Sequence, residues 1–270
     1  SRVMDLYREI DRERFSFEFV SGGDSEDHFV GEIEALGGKV HLVAAPRSNL
    51  FRHTRDVWQA LSASEVDAVH THTSFHGGLV LFLAWLRGVP VRIAHARSAG
   101  TRKEVTVLGR LSTAVGKGLA RAFSTDRLAI SQQAGEFLFG RRAKFRVLPN
   151  AICLRPYETR EDRSVARDRL GLPQSAFIVG QVGRLAPIKN HVHSLRVLTE
   201  LRRGGEDALL VIVGEGSERR SIELFAESKG LLENVLFVGK QRDVAPWFAA
   251  FDVTIAPSIR EGLGSVVLES

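Results

Sequence analysis

Two basic side chains follow one strand-like run in the second half of the chain. The apolar run FIVGQVG (177–183) is typical of a buried strand, and Arg184 and Lys189 come after it, five positions apart. Pro187 is expected to exclude a helix before Lys189, and Asn190 is a suitable N-cap for a helix that begins next. Both cations would then lie between a strand end and a helix start, where backbone N–H groups favour a phosphate. An isolated pair of this kind is also typical of an ordinary exposed surface.

A second group of polar residues lies in the last segment, SIREGLGSVVLES. The preceding run DVTIAP indicates a strand, and the segment then predicts a glycine-containing turn followed by a helix that starts near Ser265. Gly262 and Gly264 let the backbone approach a ligand closely. Glu261 in the turn and Glu269 in the helix can therefore face the same ligand, although each alone is typical of a turn or surface residue.

Two carboxylates and two cations together favour one kind of ligand. A glycosidase would use the carboxylates as acid and base or nucleophile, but that interpretation gives Arg184 and Lys189 no task. A sugar with a diphosphate leaving group explains all four residues, because cations neutralise the phosphate charge as the bond breaks. The sequence contains no Asp-x-Asp pair for binding Mg²⁺. We therefore expect the two cations to act without a metal, and we expect no cofactor.

Several histidines occur in the first half of the chain. His70 and His72 alternate at the end of the predicted strand DAVHT, so they share one face, and His76 follows closely. These three could be taken for metal ligands. We favour a cleft-lining loop that includes His72, and we predict no metal site. His95 ends another predicted strand, VRIAH, where it is either a structural or a functional side chain.

Short apolar runs alternate with amphipathic ones along almost the whole chain. Ten runs are predicted as strands, at 15–20, 39–43, 67–71, 91–95, 127–131, 145–149, 177–183, 209–214, 235–239 and 252–257. Helical patterns such as TRDVWQALSA and SLRVLTELRR lie between them. Many strand runs are apolar on both faces, as in sheets that helices cover on both sides. The alternation predicts parallel sheets of the doubly wound α/β class.

One sheet of ten parallel strands would be unusually wide. The charged stretch YETREDRSVARDR (157–169) interrupts the alternation, so we predict two Rossmann-like domains, residues 1–158 and residues 159–270. Ligands of such sheets bind at the carboxyl ends of the strands. We therefore expect the two domains to face a cleft that holds the ligand.

Composition and charge limit the classes of partner. The chain has 270 residues, 44% of them hydrophobic, and Cys153 as its single cysteine, which excludes an intrachain disulfide. Residues 86–160 carry a net charge of +11, against +5 for the whole chain. This field favours phosphates or an anionic membrane surface, with a solvated basic face as the alternative. Because no nucleic-acid-binding motif accompanies the charge, we predict no nucleic-acid partner.

Several segments taken together resemble the signatures of glycosyltransferase family 4. They are VLPNAI, VGRLAPIKNH, LLVIVGEGSERR, VLFVGKQRDV and DVTIAPSIREGLGSVVLE, in the family's order. DAVHTHTSFHGG and VRIAHARS resemble segments of the family's N-terminal domain. The resemblance covers essentially the whole chain. It implies the GT-B fold, with two Rossmann-like domains, and a retaining enzyme that uses nucleotide sugars.

The resemblance implies a donor site in the second domain. Arg184 and Lys189 would hold the donor diphosphate, Glu261 would contact the donor sugar, and Glu269 would hydrogen-bond the ribose. The other residues that match donor-binding positions are Gly183, Gly262, Leu263 and Gly264, with Lys240 and Arg242 near the nucleobase.

The resemblance also implies an acceptor side in the first domain. His95 would lie close to the reacting sugar carbon, and His72 and Asn150 would belong to the same side. The chain departs from the family at Cys153, where an aspartate is usual. Family members also begin with a further strand and a Gly-rich loop, and continue beyond Glu269, so we expect this sequence to be truncated at both ends.

The implied reaction moves a sugar from a nucleoside diphosphate donor, a UDP- or GDP-sugar, to a hydroxyl of a sugar or lipid-linked acceptor. The expected setting is synthesis of exopolysaccharide, lipopolysaccharide or glycolipid in the cytoplasm, with the protein peripheral on the inner membrane face. No side chain is an obvious covalent nucleophile. Two alternatives remain open: a sugar-nucleotide 2-epimerase of the same fold, and a non-catalytic relative that binds nucleotide sugars.

Overall fold

The protein is described here by a computed structural model, which covers residues 2–22, 29–46, 48–100, 106–150, 161–259 and 265–270. The chain divides into two compact units, Ser1–Ala151 and Ile152–Ser270. The boundary predicted between residues 158 and 159 falls outside the described ranges, so its position stays a prediction.

The first unit has two parallel sheets among its described residues. Its strands are β1 (Glu18–Gly22), β2 (Lys39–Val43), β3 (Ala68–Thr71), β4 (Val91–Ala96), β5 (Asp126–Ala129) and β6 (Arg146–Val147). β1 pairs with β2, and the other four form a sheet in the order β3-β4-β5-β6. The helices are α1 (Arg2–Glu9), α2 (Val30–Ala35), α3 (Leu50–Ala60), α4 (Gly77–Leu86), α5 (Val107–Phe123) and α6 (Gln132–Phe139), and a 3₁₀ turn covers Ser74–His76.

Two glycines bring α4 and α5 into close contact. A Cβ on Gly78 would collide with the carbonyl of Gly116, and a Cβ on Gly116 would collide with the carbonyl of Phe75. Phe75 lies in the 3₁₀ turn that follows β3. The glycine contacts therefore hold this turn against α5, and with it the segment that carries His72.

The second unit is built on one parallel sheet in the order β10-β7-β8-β9. Its strands are β7 (Phe177–Val182), β8 (Ala208–Val213), β9 (Val235–Gly239) and β10 (Val253–Thr254). The described helices are α7 (Arg163–Leu170), α8 (His191–Arg203), α9 (Arg219–Ser228), α10 (Ala245–Ala250) and α11 (Ser265–Glu269), and 3₁₀ turns cover Pro187–Lys189 and Leu232–Asn234.

Helices cover both faces of this sheet. Side chains alternate along β8, so Val211 and Val213 pack on one face in a cluster with Trp247 of α10. Leu210 and Ile212 pack on the other face in a cluster that includes residues of α8 and α9. All four β8 side chains are buried. Because both faces of β8 are buried, its sequence is a continuous apolar run.

The predicted doubly wound α/β class is confirmed, and each of the ten predicted strands is present, two with the predicted ends (39–43 and 235–239) and eight with shifted ends. The prediction that Pro187 excludes a helix before Lys189 is wrong, because a 3₁₀ turn begins at Pro187. Proline suits the first position of a helical turn, where its missing N–H is not needed. The longest apolar run, at 79–86, lies within α4. Among the described helices, none combines the length and apolar character that crossing a bilayer requires.

Candidate functional site

The carboxyl ends of β7 and β10 meet at a topological switch point in the second unit. β7 pairs with β8 on one side and with β10 on the other, while the chain proceeds from β8 to β9 before it crosses to β10. In open α/β sheets, ligands bind outside the carboxyl ends of the strands at such a point. The loop after β7 and the segment after β10 therefore form the edge of the sheet where a ligand is expected.

The loop after β7 carries the two cations predicted from the sequence. Arg184 is exposed, and within the described ranges no ion pair engages it. Lys189 is half-buried, and its side chain lies over Gly183, where an added Cβ would come to 3.5 Å from the Lys189 Cε atom. Gly183 has a φ of 150°. The loop thus folds back and places the Lys189 side chain beside the end of β7.

A buried glutamine fixes the backbone at Lys189. The Nε2 atom of Gln181 donates a hydrogen bond of 2.9 Å to the Lys189 carbonyl, and the Oε1 atom of Gln181 accepts one of 2.6 Å from the Ser194 hydroxyl. Both Gln181 and Ser194 are buried. Neither residue is among those predicted from the sequence. The available signal was a single polar residue inside the apolar run FIVGQVG.

Two hydrogen bonds join the loop after β7 to the segment after β10. The side-chain amide of Asn190 donates to the Pro257 carbonyl at 3.2 Å, and the backbone N–H of Ile259 donates to the Ile188 carbonyl at 2.9 Å. The cation-bearing loop is therefore attached to the segment that leads into residues 260–264.

Asn190 occupies the predicted N-cap position of α8 but does not act as predicted. Its backbone is left-handed, with φ 53° and ψ 48°, and its side chain makes no capping hydrogen bond. Asparagine tolerates this conformation better than most residues. The side chain is instead used for the bond to Pro257.

A third loop, after β8, packs directly on the first. The N–H of Leu185 donates to the Glu215 carbonyl at 2.9 Å, and the N–H of Glu218 donates to the Leu185 carbonyl at 3.1 Å. A Cβ on Gly214 would collide with the Gly183 carbonyl, and a Cβ on Gly216 would collide with the Leu185 carbonyl. The sequence GEG therefore permits the two loops to touch through their backbones.

The structure describes only some of the remaining predicted donor residues. Glu261, Gly262, Leu263 and Gly264 lie outside the described residues, so their predicted roles stay predictions. Glu269 is half-buried at the end of α11. Lys240 and Arg242 follow β9 and are exposed. Their position at the same edge of the sheet follows from the parallel pairing of β9 with β8.

His191 begins α8 beside the two cations and is almost fully buried, at 3% exposure. Burial lowers its pKa to about 4, and the positive charge of Lys189 acts in the same direction. Its Nε2 atom is buried without a hydrogen-bond partner in the described part of the chain. The ring is therefore uncharged at neutral pH.

In the first unit, three histidine rings meet at the carboxyl ends of β3 and β4. The ring centroids of His70 and His72 lie 4.1 Å apart, and that of His95 lies 5.2 Å from His70 and 5.3 Å from His72. The Nε2 atom of His70 is 3.1 Å from Nδ1 of His95. The cluster combines His72 and His95, both assigned to the acceptor side from the sequence.

Burial keeps these rings uncharged. Desolvation lowers the pKa of His72 to about 3, with smaller contributions from His70, Arg97 and His95. Desolvation also lowers the pKa of His95 to about 4, followed by the effects of His70 and Arg97. Each neutral imidazole offers one hydrogen-bond donor and one acceptor at pH 7.

Other polar groups near the strand ends of this unit are also unsatisfied. Ser74 has a φ of 55°, and its hydroxyl is buried without a hydrogen-bond partner among the described residues. The Oδ1 atom of Asn150, three residues after β6, is also buried without a hydrogen-bond partner among the described residues. Strained backbone and unpaired polar atoms tend to occur at functional sites.

Comparison with known proteins matches both units to glycosyltransferase families. Residues 1–151 match the family "Glycosyl transferase 4-like domain", and residues 162–270 match "Glycosyl transferases group 1". The putative glycosyltransferase EpsF of Bacillus subtilis is 33% identical over 99% of this chain and 72% of that protein. The Escherichia coli UDP-Gal:alpha-D-GlcNAc-diphosphoundecaprenol alpha-1,3-galactosyltransferase is 26% identical over 79% of this chain and 57% of that protein.

A solved structure supports the fold. The crystal structure of HepE from Anabaena in complex with UDP and glucose superposes with a TM-score of 0.80, covering 99% of this chain and 73% of that one at 20% identity. The matches to both units and to EpsF confirm the resemblance noted in the sequence. The chain belongs to glycosyltransferase family 4, whose members have the GT-B fold.

Proposed function

We propose that this glycosyltransferase moves a sugar from a nucleoside diphosphate to a hydroxyl acceptor, with retention of anomeric configuration and without a metal ion. The observation that carries the proposal is the junction between the loop after β7 and the segment after β10. Its two hydrogen bonds hold Arg184 and Lys189 beside the segment that continues to Glu261. A diphosphate at this switch point would meet both cations and the start of α8.

The donor roles follow from the chemistry of each side chain. Arg184 presents a planar fork to phosphate oxygens, and Lys189 supplies a compact charge on a backbone that Gln181 fixes. Glu261 contacts the donor sugar, and Glu269 accepts hydrogen bonds from the ribose hydroxyls. Further donor contacts are proposed for Gly183, Gly262, Leu263, Gly264, Lys240 and Arg242.

The reaction breaks the bond between the anomeric carbon and the β-phosphate oxygen, and the electron pair leaves with the phosphate. Positive charge develops on the sugar as the leaving group gains negative charge, which Arg184 and Lys189 stabilise. The acceptor oxygen then bonds to the anomeric carbon on the same face. Its proton passes to the departing phosphate. His95, His72 and Asn150 are proposed to contribute to the acceptor side.

The relatives support a UDP-sugar as donor and a lipid-linked sugar as acceptor. HepE is described in complex with UDP and glucose. The E. coli relative is named for a UDP-galactose donor and a diphosphoundecaprenol-linked acceptor. A Staphylococcus aureus relative named as the capsular polysaccharide biosynthesis glycosyltransferase CapH favours a setting in polysaccharide synthesis. The relatives compared above give no support to the 2-epimerase alternative.

The proposal is tested by a screen of UDP- and GDP-sugars against lipid-linked and free sugar acceptors. The assay measures nucleotide release, and NMR of the product reports the anomeric configuration. We expect acceptor-dependent release with retention, which persists in the presence of EDTA. An altered sugar still attached to its nucleotide would support an epimerase instead. Tight donor binding without turnover across the panel would support a non-catalytic relative.

We also propose that the first unit docks on an anionic membrane surface through α5. The helix exposes an apolar stripe on one face, formed by Val107, Leu108, Leu111 and Val115, and Arg110 is exposed beside it. These residues belong to the segment 86–160, whose net charge is +11. Apolar insertion combined with attraction to anionic lipid is the pattern of an interfacial helix.

Vesicle co-sedimentation tests this docking. We expect binding to vesicles rich in phosphatidylglycerol and much weaker binding to phosphatidylcholine alone. Leu111→Glu should reduce binding because it places a charge in the apolar stripe, while Leu224→Glu, an exposed leucine of the second unit, should leave it unchanged. Equal loss in both variants, or binding independent of lipid charge, would contradict the proposal.

A further inference from the structure

The three histidine rings of the first unit bring their nitrogen atoms close together. One ring nitrogen from each of His70, His72 and His95 lies within 4.8 Å of the other two. We propose that these three side chains form a binding site for one transition-metal ion of the Zn²⁺ type. The ion has no step in the proposed sugar transfer.

Strand register explains why these three side chains converge. β3 and β4 are parallel neighbours in which Thr71 pairs with Ala94. His72 and His95 are the next residues on the two strands, so they lie side by side. His70 precedes His72 by two positions and points to the same face. His70 and His95 are therefore carried by paired strands, and His72 directly follows one of them, which limits how far the rings can separate.

Unsatisfied nitrogen atoms within the cluster indicate a missing partner. The Nδ1 atom of His72 and the Nε2 atom of His95 are both buried, and neither has a hydrogen-bond partner in the described ranges. Buried polar atoms of native proteins are rarely left in this state. A metal ion bound to the cluster would give a partner to a ring nitrogen that is otherwise unsatisfied.

The dimensions of the cluster also suit a metal ion. Zn–N bonds of 2.0–2.1 Å place tetrahedral ligand nitrogens about 3.3 Å apart. The present separations reach 4.8 Å, so modest side-chain rotations complete the site. His70 is open to solvent and provides a path of entry.

Ligand chemistry selects the class of ion. Imidazole nitrogens suit Zn²⁺, Cu²⁺ and Ni²⁺, whereas Mg²⁺ and Ca²⁺ prefer oxygen ligands. Three protein ligands leave the fourth tetrahedral position open.

A bound ion would also have a consequence for the acceptor side. The ion would bind a ring nitrogen of His95, so His95 would not be available for the transfer reaction in a metal-loaded chain. This consequence rests on the proposed function. Binding itself does not, because it can be measured without donor or acceptor.

Calorimetric titration of the full chain with Zn²⁺, in a buffer that does not bind metal, tests the site. We expect one ion per chain and no comparable binding of Mg²⁺. His72→Gln should weaken Zn²⁺ binding at least about tenfold, because loss of an outer-shell partner already costs about 10–100-fold and loss of a ligand should cost no less. His76→Gln is the matched control, since His76 is close in sequence but outside the cluster, and it should keep wild-type affinity.

Cu²⁺ binding followed by electron paramagnetic resonance gives a second measurement. Nitrogen hyperfine structure from imidazole ligands is expected in the wild type and reduced in His72→Gln. Circular dichroism checks that the variant is folded; if it is not, His70→Gln at the open side of the cluster replaces it. Unchanged Zn²⁺ affinity in the folded ligand variant, an equal loss in His76→Gln, or absence of a one-to-one binding step would overturn the proposal.

Discussion

The hydroxyl of Ser194 in α8 donates a 2.6 Å hydrogen bond to Oε1 of Gln181 in β7, in a fully buried environment. The same glutamine donates from Nε2 to the carbonyl of Lys189. One side chain therefore connects the sheet, the helix and the loop that carries the proposed diphosphate ligands. Since a half-satisfied buried network is unfavourable, each member should depend on the others.

We predict that Ser194→Ala and Gln181→Leu each lower the free energy of unfolding by about 1–3 kcal/mol, because each leaves a buried polar group unpaired. The double variant should lose less than the sum of the two. Urea titrations followed by circular dichroism measure both effects. Thr199→Ala is a control in the same helix, where the hydroxyl donates to the Leu195 carbonyl one turn earlier and is not part of the Gln181 network. Strict additivity of the two substitutions would contradict the network.

The fold was predictable because its signal is local. β7 and β8 are buried on both faces, and such strands must be apolar at nearly every position, which the sequence displays. The loop cations were predictable for the same reason, because Arg184 and Lys189 directly follow β7. Hydrogen bonds such as Asn190 to Pro257 join residues 67 positions apart, and no local pattern specifies them.

The histidine cluster shows what spacing along the chain leaves open. His76 is the histidine nearest to His70 and His72 in sequence, whereas the structure brings these two together with His95. The difference arises because the pairing of β3 with β4 sets which residues are neighbours. Gln181 was missed for a related reason: a polar residue in an apolar strand is visible, but its partners depend on which helix covers that face.

In the second unit, a buried ion pair lies at the amino ends of β7 and β10, opposite the candidate site. This ion pair should control the stability of the second unit. Arg167 is 3% exposed, and it donates to Asp252 at 2.6 Å and to the carbonyls of Ala250 and Gln174. Asp252 also accepts from the N–H of Ile178. We predict that Asp252→Ala lowers the free energy of unfolding by about 3–5 kcal/mol, because it leaves a buried guanidinium unpaired.

The control for that substitution is Arg163→Ala. Arg163 also bonds to Asp252, at 2.7 Å, but its side chain is largely exposed. An exposed ion pair contributes about 0–1 kcal/mol, so the control should remain within that range. Urea unfolding of the two variants under identical conditions makes the comparison. Similar losses from both would show that the burial of Arg167 is not the source of the stability.

The contact between the loops after β7 and β8 should not tolerate a side chain at Gly214. We predict that Gly214→Ala lowers the free energy of unfolding by at least about 2 kcal/mol, since its Cβ would collide with the Gly183 carbonyl. Gly205→Ala is the matched control. Gly205 also has a positive φ, 88°, but nothing lies within 4 Å of an added Cβ. Its loss should be about 1–2 kcal/mol from backbone strain alone.

Thermal and urea unfolding distinguish the two glycine variants. A larger loss for Gly214→Ala is expected, together with weaker nucleotide binding, because displacement of Gly183 moves the adjoining Arg184. Equal losses at the two positions would mean that backbone conformation, and not the close approach of the loops, is what selects glycine at Gly214.

Acid should destabilise the second unit through His191. Its pKa is lowered to about 4 in the folded chain from an ordinary value of 6.5. Between these values the unfolded chain binds a proton that the folded chain does not, so stability falls as the pH falls from 6.5 towards 4 and is fully present above 6.5. His191→Leu should reduce the difference between urea midpoints measured at pH 7 and pH 5.

His193→Gln provides the control for this pH dependence. His193 lies in the same helix two positions later but is exposed. We expect its substitution to leave the difference between the two midpoints as in the wild type. If His191→Leu also leaves that difference unchanged, burial of the His191 ring is not a source of acid sensitivity.

Arg184 should contribute to transfer through its charge and its fork geometry. We predict that Arg184→Ala raises the free energy of the transition state by at least about 2 kcal/mol, since one charged donor to the leaving diphosphate is lost. The value of kcat/KM should then fall roughly 30-fold. Arg184→Lys should recover part of this loss because it restores charge without the bidentate geometry. Arg196→Ala removes an exposed arginine from α8 and should leave turnover unchanged. Wild-type turnover by Arg184→Ala with every donor that the enzyme accepts would remove the guanidinium from the proposed site.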